Sequence, residues 1–263
     1  TCAPSRVAFM TSRHPANFSY SLGLGNRTVT ELLYESGYAV SHFGKWHIGP
    51  EHPVYVQKKL PPEERQPVYG METIMQSRND LKCFAENGLG RDDQIYSAAI
   101  AWLSAVAQAP ESRPFYMNVW GHATHDPVWN CVINESSLSL PRRTYPESFN
   151  FSLFGIHMQE RIKRAERLGV DTQLAMRRYL DDLASLDVNV GRLLETLDQL
   201  RLADKTVVAF SSDHGPHVVA NVPAIYGAST STPPRRLFSG ESPFMLGYSG
   251  GLRGGKFTQY EGG

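Results

Sequence analysis

Thr28-Val29-Thr30-Glu31-Leu32-Leu33-Tyr34-Glu35-Ser36-Gly37, running straight into Tyr38-Ala39-Val40-Ser41-His42-Phe43, is the stretch from which the fold can be read. Thr28 and Glu31 have the three-residue offset of a capping box, and Gly37 offers a C-terminal stop, so a short helix is expected between them. Tyr38 to Phe43 is rich in β-formers and predicts a strand entered directly from that helix. The strand closes in Gly44-Lys45-Trp46-His47-Ile48-Gly49, where an extended chain would turn Lys45 and His47 to the same side.

The same grammar recurs down the chain. Asp92 and Asp93 can cap a helix whose apolar face is Ile95, Ala98, Ala99, Trp102, Leu103 and Val106, ended by Pro110. Phe115 to Trp120 then predicts a strand, closing in Gly121-His122-Ala123-Thr124-His125-Asp126-Pro127. A long helix is expected from Thr172, because Leu180, Leu183, Leu186, Val190, Leu193, Leu194, Leu197 and Leu200 recur at steps of three and four, with Asp181, Asp182, Arg192 and Glu195 between. Thr206-Val207-Val208-Ala209-Phe210 predicts a buried strand, ending in Ser211-Ser212-Asp213-His214-Gly215-Pro216.

Helices alternating with short apolar strands imply an α/β fold, a mostly parallel sheet sandwiched between helices. Each predicted strand stops at a polar cluster: Lys45/His47, His122/His125 and Asp213/His214. In open α/β sheets ligands bind beyond the carboxyl ends of the strands, so one site could gather all of these. Taken singly, each cluster has a plainer explanation as a loop or turn. The segment 50–70 reads as a surface loop, long because it carries local structure or lines a substrate cleft, and the basic run Arg161, Lys163, Arg164 and Arg167 as a solvated helix face.

Near the start, Pro4 suits a first helical turn and puts Cys2 at a helix N-terminus, where unpaired N–H groups favour anions. Arg6 adds a guanidinium one turn on. The plain alternative is a buried structural cysteine beside a surface arginine.

The chain has 263 residues, 41% hydrophobic and 11% aromatic, enough for one large core. Formal net charge is +0, so no global field argues for nucleic acid or an anionic membrane, and any anion site is local. No apolar run approaches the roughly 20 residues that span a bilayer. Asn17, Asn26, Asn134 and Asn150 stand in Asn-x-Ser/Thr sequons, compatible with a secretory route. Cys83 and Cys131 could be a disulfide or two thiols.

The motifs carry a resemblance. Cys2-Ala3-Pro4-Ser5-Arg6 with Met10-Thr11-Ser12-Arg13 behind it resembles the signature of the type I, formylglycine-dependent sulfatases of the alkaline phosphatase superfamily, with Ser12 where the family usually has Gly. Gly44 to Gly49 resembles Gly-Lys-Trp-His-Leu-Gly, His122 to Pro127 resembles His-x-x-His-x-Pro, and Ser212 to Gly215 resembles Ser-Asp-(Asn/His)-Gly. Leu252-Arg253-Gly254-Gly255-Lys256, ending in Glu261-Gly262-Gly263, resembles the family's Leu-Arg-Gly-Gly-Lys motif. The matches follow the family's order from end to end.

The resemblance implies a sulfuric ester hydrolase. Cys2, converted to formylglycine by the formylglycine-generating enzyme, would be the nucleophile; Arg6 would orient it and Lys45 would contact it and the sulfate. His47 would take the proton that expels sulfate, His125 would bind sulfate and protonate the leaving alcohol, and Lys256 would pair with a sulfate oxygen, with His122 in a supporting place. Asp213, His214 and the converted Cys2 would hold a divalent ion, by the family's habit Ca2+. Substrates would be sulfated small molecules or glycans, and the compartment lysosomal, extracellular or periplasmic in type.

The family also places an aspartate pair on its first strand. The expectation is therefore a partial catalytic domain over 1–263, without that strand or a C-terminal subdomain, which binds metal poorly and turns over slowly or not at all. The competing readings are a phosphonate or phosphodiester hydrolase of the same superfamily, and a pseudoenzyme that keeps the anion pocket without the modification.

Overall fold

The computed structural model describes residues 2–14, 22–23, 25–48, 68–76, 89–111, 113–125, 146, 148–167, 171–216, 247, 249–256 and 260–262. Cys83, Cys131, the sequons at Asn17 and Asn134, and most of the 50–70 segment lie outside the described residues. Two compact units divide the chain: Thr1–Leu81, Asp92–His122 and Asp187–Asp213 form one, and Lys82–Arg91, Ala123–Leu186 and His214–Gly263 the other.

In the first unit the opening stretch folds as its residues dictate. Helix α1 is Cys2–Thr11 and helix α2 is Val29–Glu35. The α2 capping box is complete: Thr28 Oγ1 accepts from the Glu31 N–H while the Glu31 carboxylate accepts from the Thr28 N–H. At the other end Gly37, at φ 87°, closes a Schellman motif, with the Gly37 N–H bonded to Tyr34 O and the Tyr38 N–H to Leu33 O. Strand β1, Ala39–Gly44, follows at once and is buried along its whole length.

β1 is the centre of a parallel sheet ordered β2-β1-β3, where β2 is Thr73–Gln76 and β3 is Phe115–Trp120. The register pairs Ala39 with Phe115 and Gly44 with Trp120, so the strands finish at the same edge. β2 is absent from the sequence reading: four residues are too few to show a period. Nor is the end of the 50–70 segment a surface loop, since Val68–Gly70 forms a buried 3-10 turn. Val68, Tyr69 and Met71 join Val7, Met10, Leu22, Val40, Trp46 and Ile48 in the core. Each large apolar side chain buried there contributes about 1.5–3 kcal/mol.

Helix α3, Asp93–Ala107, buries Ile95, Tyr96, Ala99 and Leu103 as its spacing predicts. Asp92 stands at its N-cap but makes no side-chain cap. Both of its carboxylate oxygens instead accept from the His122 N–H, at 2.8 and 2.9 Å. An acceptor with a buried backbone donor in reach takes that donor, and Asp92 is itself 1% exposed.

One strand expectation fails. Thr206 to Phe210 joins no ladder among the described residues, and Val207, Val208 and Phe210 are 97%, 56% and 74% exposed. An apolar run becomes a buried strand only when a neighbour takes up its N–H and C=O groups and a layer covers its faces, and the described residues supply neither here.

In the second unit helix α4, Ile156–Arg167, turns Met158 and Ile162 onto a cluster with Ala175, Met176, Phe149, Phe151 and Phe154. Lys163, Arg164 and Arg167 are exposed, as a solvated basic face requires, while Arg161 reaches Gly247 O at 2.8 Å. Helix α5, Thr172–Gln199, has the predicted start and belongs to the second unit up to Leu186 and to the first from Asp187. Its inner side is more polar than a leucine ladder implies. Leu183 and Leu194 are each 41% exposed, whereas Asp182, Ser185 and Asn189 are buried because each has a partner. Asp182 takes Arg91, Ser185 Oγ donates to Asp182 O, and Asn189 Oδ1 accepts from Arg192.

Candidate active site

Cys2 and Arg6 lie one turn apart on α1, so both project from one helix face, and both are buried, at 4% and 7% exposure. Arg6 Nε donates to Asp213 Oδ2 at 2.9 Å and Nη1 donates to Lys45 O at 2.8 Å. Its Cζ lies 4.7 Å from the ring centroid of Trp120. Lys45, directly beyond the end of β1 and 5% exposed, places Nζ 3.6 Å from Cys2 Sγ. The Asp213 carboxylate is within 4.8 Å of that sulfur. The first unit thus assembles Cys2, Arg6, Lys45 and Asp213 around one thiol.

His47 differs. Its φ is 56°, left-handed rather than extended, and the residue is exposed while Lys45 is buried. The premise that would align the two side chains fails at that residue. His122 is 2% exposed and held through its backbone by Asp92.

In the second unit Lys256 Nζ is 3.0 Å from His125 Nε2. The glycine-rich stretch that carries Lys256 is tied in by Lys256 N–H to Pro216 O, and by Gly262 N–H to Arg253 O. Tyr179 on α5 shares a hydrogen bond with Thr124, next to His125. Burial pushes the Tyr179 phenol up, the bond to Thr124 works against that, and the charge of Asp182 adds to it. His214 Nδ1 is 2.7 Å from Gly215 O. A carbonyl can only accept, so Nδ1 carries the proton.

The donor set fits a divalent cation. A carboxylate offers about four lone-pair positions, so the bond from Arg6 does not exhaust Asp213, and an imidazole whose Nδ1 is taken up by a carbonyl ligates through Nε2. Sequence reading gave no part to Trp120, which the resemblance does not include. The signal available was an indole at the last position of a strand, immediately before Gly121-His122.

The family profile described as Sulfatase matches residues 1–263. The chain belongs to the sulfatase family. Human iduronate 2-sulfatase is 27% identical over 257 residues, a match covering 81% of this chain and 46% of that protein. Human arylsulfatase A is 28% identical over 306 residues, covering 100% of this chain and 48% of that protein. This sulfatase chain therefore spans about half the length of these relatives. Among solved structures, a protein bound to its substrate D-glucosamine-2-N,6-O-disulfate superposes with a TM-score of 0.54 at 17% identity, over 82% of this chain and 56% of that one. That likeness supports the α/β fold with its parallel sheet.

Proposed function

We propose that this chain hydrolyses sulfate esters at Cys2. The observation that carries the reading is the convergence of two buried cations, Arg6 and Lys45, on a buried thiol at the head of α1. Such a place suits an anion, and a sulfate ester brings one negative charge spread over its oxygens. Cleavage of the S–O bond puts further charge on the leaving oxygen, which fixed cations stabilise without reorganising.

Arg6, held at its edge by Asp213 and Lys45 O, keeps its charge beside the reacting centre. Lys45 Nζ spans the thiol position and an incoming sulfate oxygen. Motif resemblance assigns His125 to protonate the leaving alcohol and Lys256 to a sulfate oxygen, and the 3.0 Å contact between them lets the ammonium orient the ring. His47 is proposed for the proton that leaves with sulfate release. Formylglycine at Cys2 would supply a geminal diol in place of the thiol as nucleophile. Asp213 and His214 would hold the calcium ion, which supplies Lewis acidity toward the sulfate oxygens. The names of the relatives and the disulfated glucosamine bound by the structural neighbour support sulfated carbohydrates or aryl sulfates as substrates. A secretory-type compartment and the formylglycine-generating enzyme as maturation partner complete the proposal.

The test compares initial rates on an aryl sulfate and an aryl phosphodiester, alongside peptide mass spectrometry across Cys2. Sulfate turnover with an aldehyde at Cys2 is expected, and Lys45→Met is expected to lower kcat/KM at least about 100-fold. Faster phosphodiester cleavage, or an unmodified thiol with no turnover, overturns the reading.

A further inference from the structure

We infer that Trp120 is a positioning residue for both cations at Cys2, holding Arg6 through its indole face and Lys45 through its backbone carbonyl. A guanidinium has donors around its edge and none on its faces. Here the edge is used by Asp213 and by Lys45 O, so what fixes the plane against tilting is whatever lies on a face. Arg6 Cζ stands over the Trp120 ring, 4.7 Å from its centroid, and Arg6 is 7% exposed, so solvent does little to weaken the attraction between cation and ring.

The same residue holds Lys45. Trp120 O accepts from the Lys45 N–H at 2.8 Å, and Gly44 brings the two strands together there. A Cβ on Gly44 would stand 2.1 Å from Trp120 O, at a φ of +105°. One residue therefore sets the backbone from which Lys45 reaches Cys2, and the plane of the arginine beside it.

The indole is itself locked. The His42 ring, fully buried in β1, meets it edge-on at 5.0 Å and 90°. Trp46 stacks at 6.3 Å and 17°, and Phe9 closes a further side at 5.9 Å. Trp46 leans in turn on Tyr69, at 5.4 Å. This aromatic pile runs from the core to the guanidinium, so the position of Arg6 inherits the rigidity of core packing. The consequence for catalysis rests on the proposed sulfatase reaction; the positioning of Arg6 does not.

The test uses the full chain with Trp120→Phe, Trp120→Leu and site-specific ring-fluorinated tryptophans, which keep the indole shape while weakening its π face. Trp120→Leu is expected to lower kcat/KM on an aryl sulfate about 10- to 30-fold. Trp120→Phe should stay within about threefold, and successive fluorines should give a graded decline. In an Arg6→Met background the Trp120→Leu loss should shrink to under about threefold, because the effect passes through Arg6. Equal losses with and without Arg6, or a flat fluorine series, would mean that Trp120 only fills space and would overturn the inference.

A readout free of turnover is the Arg6 Nε–H resonance in 15N-arginine protein. It should be ring-current shifted and slow to exchange, and both properties should be lost in Trp120→Leu; an unmoved signal refutes the inference. A wild-type chain that cleaves no sulfate ester sinks the hydrolase reading, and the resonance then decides this one. Should Trp120→Leu fail to fold, the fluorine series decides.

Discussion

Asp182→Ala is the substitution whose effect on stability follows most directly from geometry. The Asp182 carboxylate receives Arg91 Nε at 3.1 Å and Nη2 at 2.5 Å, a two-point contact, and both side chains are 3% exposed. Truncation leaves a guanidinium out of water with its counter-charge gone, which costs about 3–5 kcal/mol. For a chain of this size each kcal/mol shifts Tm by roughly 2–4 °C, so a fall of roughly 6–20 °C is expected. Urea denaturation followed by circular dichroism measures it. The Arg91→Met/Asp182→Leu pair should behave differently, recovering most of the loss or exceeding the parent, because an apolar pair has no desolvation to offset. The Ser185 Oγ bond to Asp182 O is to the backbone and survives both changes. A loss under about 1 kcal/mol for Asp182→Ala, or a double variant as unstable as the single, would refute the reasoning.

Gly44→Ala should destabilise by at least about 3 kcal/mol, since it adds a disfavoured φ to a backbone clash with Trp120 O, and thermal unfolding reads the loss. Alkaline stability should report the buried tyrosines. Burial, helped by the charge of Asp92, pushes Tyr96 up to about 12 from the usual 10.0, and burial pushes Tyr116 to about 12 against the bond its hydroxyl donates to Asn118 Oδ1. A raised folded value means the stabilisation is complete below pH 10 and is lost as pH climbs to 12, about 3 kcal/mol for each phenol. Tyr96→Phe should make stability visibly less sensitive over that window in denaturant titrations, and an unchanged slope would contradict the assignment. Thr28→Ala removes a buried cap and should cost about 1 kcal/mol of the same urea-derived stability.

Local chemistry was the legible part of this chain. Thr28, Glu31 and Gly37 announced both ends of α2, Pro4 the start of α1, and the β-formers of β1 and β3 their strands, because caps, stops and short apolar runs act within a few residues. What escaped depended on partners distant in sequence. Thr206 to Phe210 has the composition of a core strand, yet its ladder would have to come from elsewhere. Asp92 looked like a helix cap and serves His122, and Asp182 looked like the polar face of α5 but is bound to Arg91. At the candidate site, motif order picked out Cys2, Arg6, Lys45 and Asp213 before geometry brought them together. His47 lies outside what strand periodicity can reach, because one left-handed φ breaks the extended path that would align it with Lys45. The part of Trp120 is not legible in sequence because it depends on what lies against its face, and a string of letters carries no faces.

The grip of Asp92 on His122 reaches past stability. A carboxylate at the head of α3 measures out where the chain must be when it leaves β3, and its span is a fixed length. A residue inserted between Trp120 and His122 would unhook that buried charge. A lineage carrying this sheet is thus free neither to lengthen that step nor to enlarge Gly121, where a Cβ would stand 2.4 Å from Asp92 Oδ2.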